Sequence, residues 1–368
     1  MTQTTPAVPL RFDTAFEHLE DDEAQTIADI VEQMQKISAV TTRDYGHAVR
    51  SVHAKSHGLL YGELMVLDNL PSELAQGMFA KTATFPIVMR LSTTPGDILD
   101  DRVSTPRGMA IKLSGVEGAR LPGSENATTQ DFVLVNGPAF LTPDVKSFSK
   151  SLKLLASTTD KAEGLKIAFS AVLRGTEKII ESVGGKNATI RGLGGHPETH
   201  ILGETFFSQA PLLYGQYLCK ISVAPVSAEL TALTDAPVDL HDKPNGLRDA
   251  VIDHFRQHGG EWELRVQLCT NLATMPVEDA SVEWPQQESP YRTVARIRVR
   301  PQAAWNAARE AAIDGGLSFS PWHGIADHRP LGSVMRARKV VYQVMSAARL
   351  KTNGRPAGEP ASLEMPAD

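Results

Sequence analysis

The chain has 368 residues, 42% hydrophobic and 22% charged, with a formal net charge of −6 at pH 7. That composition belongs to a globular protein with a sizeable core, and its mild negative charge, with both signs spread along the chain, offers no basic field for nucleic acid or an anionic membrane. Only Cys219 and Cys269 occur, far apart and outside any Cys-x-x-Cys pattern, which argues against a disulfide framework or a zinc cluster and leaves two buried free thiols as the expectation. In chain order, Ile27, Ile30, Val31, Met34 and Ile37 share a helical spacing and predict a helix from about Asp21 to Val40, an arm within residues 1–40. Strand-like alternation follows in Leu59–Val66, Ile87–Leu91, Gly108–Leu113 and Phe132–Val135, separated by Gly, Pro, Asp and Ser clusters in the manner of antiparallel sheet. A helical stretch covers about Pro143 to Val183, interrupted near Thr158–Asp160, with Leu152, Leu154, Leu165, Phe169 and Leu173 as core residues. Later strands are predicted at Leu213–Val223, Trp262–Leu268 and Val294–Val299, with helices at Asn245–His258 and Pro301–Ala312. The pattern is α+β. No stretch approaches membrane-spanning length, Met1–Leu10 lacks a basic start followed by an apolar core, and no internal repeat is visible, so a cytoplasmic location is expected.

The last helix carries the first chemical signal. Ser333 to Leu350 reads as helix, with Ser333 as the expected N-cap and Asn353-Gly354, then Pro356, as the stop. At about 100° per residue, Arg338, Tyr342 and Arg349 fall within roughly 40° of one another and share a stripe. A fixed cation beside a phenol favours its ionised form, and a phenolate is a strong anionic ligand for ferric iron. Arg-x-x-x-Tyr is a very short pattern, and taken alone it is better read as a half-buried helix tyrosine between surface charges.

Four further segments occur in a fixed order ahead of it. Arg50-Ser-Val-His53-Ala-Lys55, with Gly58 and Tyr61-Gly-Glu63, resembles the haem catalase strand that carries the distal histidine. Phe85-Pro-Ile-Val-Met-Arg90-Leu-Ser92-Thr93 resembles the next strand, which supplies an arginine and a serine behind that histidine. Pro106-Arg107-Gly108-Met-Ala-Ile-Lys112 resembles the family's Pro-Arg-Gly-Phe-Ala-x-Lys segment, with Met109 in the aromatic position. Asp131-Phe-Val-Leu-Val-Asn136-Gly-Pro138-Ala-Phe140 resembles the segment with the distal asparagine. Order and approximate spacing agree over residues 45–145 and 320–350. The short tail after Leu350 and the Trp322…His328-Arg329-Pro330-Leu-Gly region are similar to the small catalase-related peroxidases rather than to full-length catalases.

The resemblance implies an eight-stranded antiparallel β-barrel over residues 41–350, with an N-terminal helical arm and external and C-terminal helices; the tail at 351–368, rich in Gly, Pro and Glu, is expected to be poorly ordered. It implies haem b as cofactor and a peroxidase or catalase that reduces hydrogen peroxide or organic hydroperoxides through a ferryl state, at the expense of an unidentified small-molecule reductant. Tyr342 would ligate the iron with Arg338 one turn away, His53 would be the distal acid-base group, Ser92 would orient it, and Asn136 would offer an amide donor. Arg50, Arg90 and Arg349 match the arginines that bind haem propionates, and Val52 and Phe140 would touch the porphyrin. A homo-oligomer, dimer or tetramer, is expected, and no nicotinamide site. His47, His57, His196, His200, His323 and His328 are scattered without zinc-site spacing, with a supporting role left open for His57. Two alternatives stand beside this reading. A fatty-acid hydroperoxide rearranging enzyme of the allene oxide synthase type characteristically has threonine before the distal histidine, where this chain has Val52; a non-catalytic haem-binding protein has no need of the distal set.

Overall fold

Nine strands form one antiparallel sheet, the predicted strand-like stretches among them: β1 (Lys55–Val66), β2 (Thr84–Thr93), β3 (Arg107–Leu113), β4 (Gln130–Val135), β5 (Phe206–Phe207), β6 (Leu212–Tyr214), β7 (Tyr217–Pro225), β8 (Gly260–Leu268) and β9 (Arg292–Val299). The structure is a computed structural model that describes residues 8–94, 96–158 and 196–363. The strands pair in the order β1-β2-β3-β4-β5-β7-β8-β9, and β9 returns to β1. This is the expected barrel of eight strand positions, because β5 and β6 share one edge of β7: β5 pairs with Ser222 and Val223, and β6 with residues from Tyr217 to Cys219. Two strands thus replace the single one expected over Leu213–Val223. Gly215, with φ +59° and packed against Gln76, turns the chain between them. The two-residue β5 is too short to leave a periodicity in the sequence.

Both faces of β1 to β4 are covered, which is why β2 and β3 are nearly continuous buried runs. Leu60, Leu64, Met89, Leu91 and Ile111 join residues such as Ile221, Leu264 and Ile297 from across the barrel in the interior core. At the alternate positions Leu59, Val88, Ala110 and Val133 meet Trp305, Ile313 and Phe319, which lie outside the sheet. Side chains two apart on a strand share a face, so Arg90 and Ser92 follow Val88 onto this outer wall.

Among the described residues the helices are α1 (Glu23–Tyr45), α2 (Val145–Thr158), α3 (Ala228–Thr231), α4 (Gly246–Gln257), α5 (Ala307–Arg309), which runs on as a π-turn over Glu310–Asp314, and α6 (Ser333–Thr352). The remainder of the helix expected beyond Thr158, with Leu165, Phe169 and Leu173, lies outside the described residues. Where a helix over Pro301–Ala312 was expected, helical structure starts only at Ala307: Asn306 caps it by accepting from the Arg309 amide at 2.8 Å. Ile30, Met34 and Ile37 of α1 pack against Val145 and Leu152 of α2 and Ala337, Val341 and Met345 of α6. Burying each such side chain contributes roughly 1.5–3 kcal/mol, and this seam holds α6 over the barrel.

The first residue of α6 is Ser333, and the N-cap is Gly332, at φ +86° and tight against the Val277 carbonyl. Acidic side chains cap the free amides in place of the expected serine: Glu278 accepts from Ser333 N at 2.7 Å and Glu17 from Gly332 N at 3.1 Å. Arg336 then bridges Glu17, Glu23 and Glu278, which fixes the rotation of the helix. The helix stops at Asn353-Gly354, as its sequence predicts, and the amide side chain of Asn353 makes two bonds, 2.9 and 2.8 Å, to the backbone of Ala48. In the tail, Glu359 pairs with the buried Lys112 and with His323, and Leu363 packs against the outer-wall cluster. No helix among the described residues is long and apolar enough to cross a membrane.

Candidate active site

On α6, Tyr342, Met345, Ser346 and Arg349 recur at i, i+3, i+4 and i+7 and therefore line one face, which looks into a cavity against the outer wall of β2 to β4. The cavity itself holds about 100 Å³, below the roughly 300–1,000 Å³ of small-molecule sites. Opposite α6 stand the bend Arg50–His53, Arg90 and Ser92 of β2, Gly108 to Ala110 of β3, and Phe319. The Asn353 to Ala48 bonds tie that bend to the end of α6, so the two walls are fastened together beside the site.

His53 precedes β1 in a left-handed conformation, φ 53°. Arg90 Nη2 donates to the carbonyls of His53 and Ala54 at 2.8 and 3.1 Å. The ring lies with Nδ1 3.2 Å from Ser92 Oγ, over Gly108, where a Cβ would come within 2.7 Å of Nδ1 and Cε1. The glycine of Pro106-Arg107-Gly108 is thus a cradle for the imidazole. Burial, and then the nearby guanidinium groups of Arg90, Arg338 and Arg50, push the imidazole down to about 3, so His53 is neutral at neutral pH.

Across the cavity, Arg338 Nη2 donates to the Tyr342 hydroxyl at 2.9 Å, and the guanidinium carbon lies 5.2 Å from that ring's centroid. The other end of Arg338 touches Met335 Sδ at 3.3 Å. Tyr342 and the cation one turn before it thus form one hydrogen-bonded unit, as the helical spacing predicts.

Arg50, Arg90 and Arg349 converge on the same cavity. Asp314 is the carboxylate facing them, bonded to Arg90 and 3.8 Å from Arg50 Nε. Arg50 Nη2 donates to the carbonyls of Ile313, Asp314 and Leu317, and Arg349 Nη1 and Nη2 donate to those of Asp314, Gly315 and Leu317. Among the described residues, buried Arg50 Nε has no hydrogen-bond acceptor. Burial, together with Arg90 and Arg349, pushes Arg50 well below its ordinary value, against the pull of Asp314. Among the described residues, three cations against one carboxylate leave an excess of positive charge that suits an anionic ligand. An apolar slot with a phenol on one side, a neutral imidazole on the other and surplus guanidinium charge meets the chemical demands of a haem: an axial ligand, a distal acid-base group and cations for its carboxylates.

Of the residues singled out in the sequence, Arg50, Val52, His53, Arg90, Ser92, Tyr342 and Arg349 line the cavity, and Arg338 is bonded to Tyr342. Asn136 and Phe140 are not among the lining residues. The Asn136 amide is committed elsewhere: Oδ1 accepts from Arg107 N at 2.9 Å, and Nδ2 donates to Glu204 and to His196 Nε2, the latter at 2.6 Å. Phe140 packs on Phe148, centroids 5.5 Å apart, and on Val334 and Met335. His57 is buried behind the site, 3.1 Å from Thr93 Oγ1. Sequence reading missed Met34, Met345, Ser346, Phe319 and Asp314. The first three carry a recoverable signal in the spacing of α1 and α6, whereas Phe319 and Asp314 lie in loop and turn without any.

A second polar cluster lies behind Phe319. Asp131, His323 and Glu359 bring their ligand atoms within 4.8 Å of one another. Lys112 fills the place a metal would take, 2.8 Å from both Asp131 oxygens, and satisfies the carboxylates itself. Cys219 and Cys269 are buried free thiols, as expected.

No family model and no curated protein matches the chain by sequence. Among solved structures, the fold is similar to that of a fungal catalase, with a TM-score of 0.58 at 18% identity over 86% of this chain and 61% of that one. It is also similar to catalase A from Saccharomyces cerevisiae, with a TM-score of 0.57 at 17% identity over 95% and 68%. A bacterial catalase gives a TM-score of 0.56 at 13% identity over 85% and 59%. The chain therefore has the catalase fold and spans about three fifths of the fungal protein's length.

Proposed function

We propose that the protein is a haem-dependent peroxidase with catalase activity, of the small catalase-related type, acting on hydrogen peroxide or organic hydroperoxides with a small-molecule reductant. The observation that carries this reading is that one cavity has Tyr342, bonded to Arg338, on one wall and His53, bonded to Ser92, on another. Haem b bound there would supply the redox chemistry, the two electrons that breaking a peroxide O–O bond requires. Tyr342 is the residue to ligate that iron as phenolate, with Arg338 donating to its oxygen. Arg50, Arg90 and Arg349 are the residues to meet the haem carboxylates, Arg50 Nε being a donor without an acceptor among the described residues. Val52, Met109, Met345 and Phe319 furnish apolar wall.

His53 does the proton work. Neutral at rest, it takes a proton at Nε2 from one peroxide oxygen and returns it to the other as the O–O bond breaks, general acid-base catalysis by a single positioned group. Ser92 at Nδ1 holds the ring in one orientation. A base this weak keeps a proton only briefly and hands it on readily. Asn136, tied to Arg107, Glu204 and His196, is assigned to bracing the β3–β4 end behind the pocket rather than to donating toward peroxide. Haem-loaded protein should evolve oxygen from peroxide and oxidise a dye donor, and His53→Ala should lower both rates by about 10²–10⁴-fold with haem still bound. Wild-type rates in that variant would remove His53 from the mechanism.

A further inference from the structure

A non-glycine residue held in the left-handed region is strained and persists only where its surroundings over-determine it. His53 stands there, at φ 53°, and the group holding it is Arg90. One guanidinium nitrogen, Nη2, donates to the His53 and Ala54 carbonyls, while Nε is bonded to the carboxylate of Asp314. Arg90 is 2% exposed, so its position depends on those protein partners.

Asp314 is itself fixed from both ends of the chain. Arg50 Nη2 donates to the Asp314 carbonyl at 3.3 Å and Arg349 Nη1 at 2.8 Å. It is the last residue of the π-turn Glu310–Asp314, a rare wide turn that is frequent at functional sites. Burial disfavours the charged carboxylate, but Arg90 and Arg50 outweigh it and hold Asp314 below its ordinary range. A fixed anion at Nε thus orients Arg90 so that its Nη2 reaches the backbone of the distal bend.

We infer that Asp314 is the positioning residue of the distal histidine, acting through Arg90 on the backbone of His53 and Ala54. This deepens the peroxide reading of the same cavity and rests on it, so the test has one arm independent of haem. In haem-free protein, the ¹⁵N and ¹³C signals of the His53 ring, assigned against His53→Gln, report its tautomer and surroundings. Asp314→Ala should shift them, and Asp314→Asn, which keeps an acceptor, should shift them less. The signals of His328, packed between Phe79 and Tyr214, should stay in place. In haem-loaded protein, Asp314→Ala should lower the peroxide rate constant by about ten- to a hundredfold with haem retained. Arg90→Lys keeps the charge but loses the fork; it should reproduce the His53 shift and so decides the matter if Asp314→Ala fails to fold. Unchanged His53 signals, or an unchanged rate in a protein whose wild type is active, overturn the inference. If wild-type loaded protein does not react with peroxide, the functional reading fails by itself, and the His53 signals still decide the positioning role.

Discussion

The substitution Gly108→Ala adds one methyl group where the distal imidazole now rests. The new Cβ would lie 2.7 Å from His53 Nδ1 and Cε1 and 3.1 Å from Ser92 Oγ. Carbon contacts settle at about 3.5–4.0 Å, so the ring must retreat by about 1 Å or give up its bond to Ser92. The backbone of Gly108 is not in the left-handed region, and alanine is acceptable in β3, so the barrel should fold normally. A misplacement of about 1 Å costs on the order of 10²-fold in rate, equivalent to about 3 kcal/mol of barrier. The assay is the second-order rate constant for peroxide consumption by haem-loaded protein, with circular dichroism and haem absorbance showing that fold and cofactor are intact. A wild-type rate in Gly108→Ala would refute the reasoning, since the position of the His53 ring would then not matter.

The pH dependence gives two further expectations. Because His53 is held at about 3, the peroxide rate should show no acid limb near the ordinary histidine value of about 6.5, and a limb centred there would contradict the neutral distal base. Stability should behave differently. His200 and His328 are buried and each pushed down to about 4, so between about 6.5 and 4 the unfolded chain binds protons that the folded one does not. Their contribution is therefore whole above about 6.5 and declines as pH falls, by about 1.4 kcal/mol per pH unit for each histidine. Denaturant midpoints at pH 7 and pH 5 measure it, and equal midpoints would refute the burial of these rings as neutral groups.

Much of the site is legible in the sequence because it rides on regular periods. Arg338, Tyr342 and Arg349 share a helix face, and Arg90 and Ser92 share a strand face, so arithmetic on residue numbers places them correctly. Gly108 is visible as a glycine inside a strand, a mark of close approach by another group, which here is the imidazole. Asp314 is not legible: its weight comes from Arg50 and Arg90, far earlier in the chain, and from a π-turn that no local pattern announces. Asn136 shows the opposite failure. Its place in a motif is clear, but Glu204 and His196, distant in sequence, have taken its amide. In the fold, the barrel strands follow from alternation, whereas the break at Gly215 and the Glu278 and Glu17 caps of α6 depend on tertiary contacts.

The central claim, that Tyr342 is the axial ligand of a haem seated in this cavity, is tested most directly by titrating haem into wild-type protein and Tyr342→Phe and recording the absorption spectrum. The wild type should saturate with the spectrum of a ferric tyrosinate haem, and Tyr342→Phe should bind more weakly and lack that signature. No saturable binding to wild-type protein, or one and the same bound spectrum in both, would contradict it.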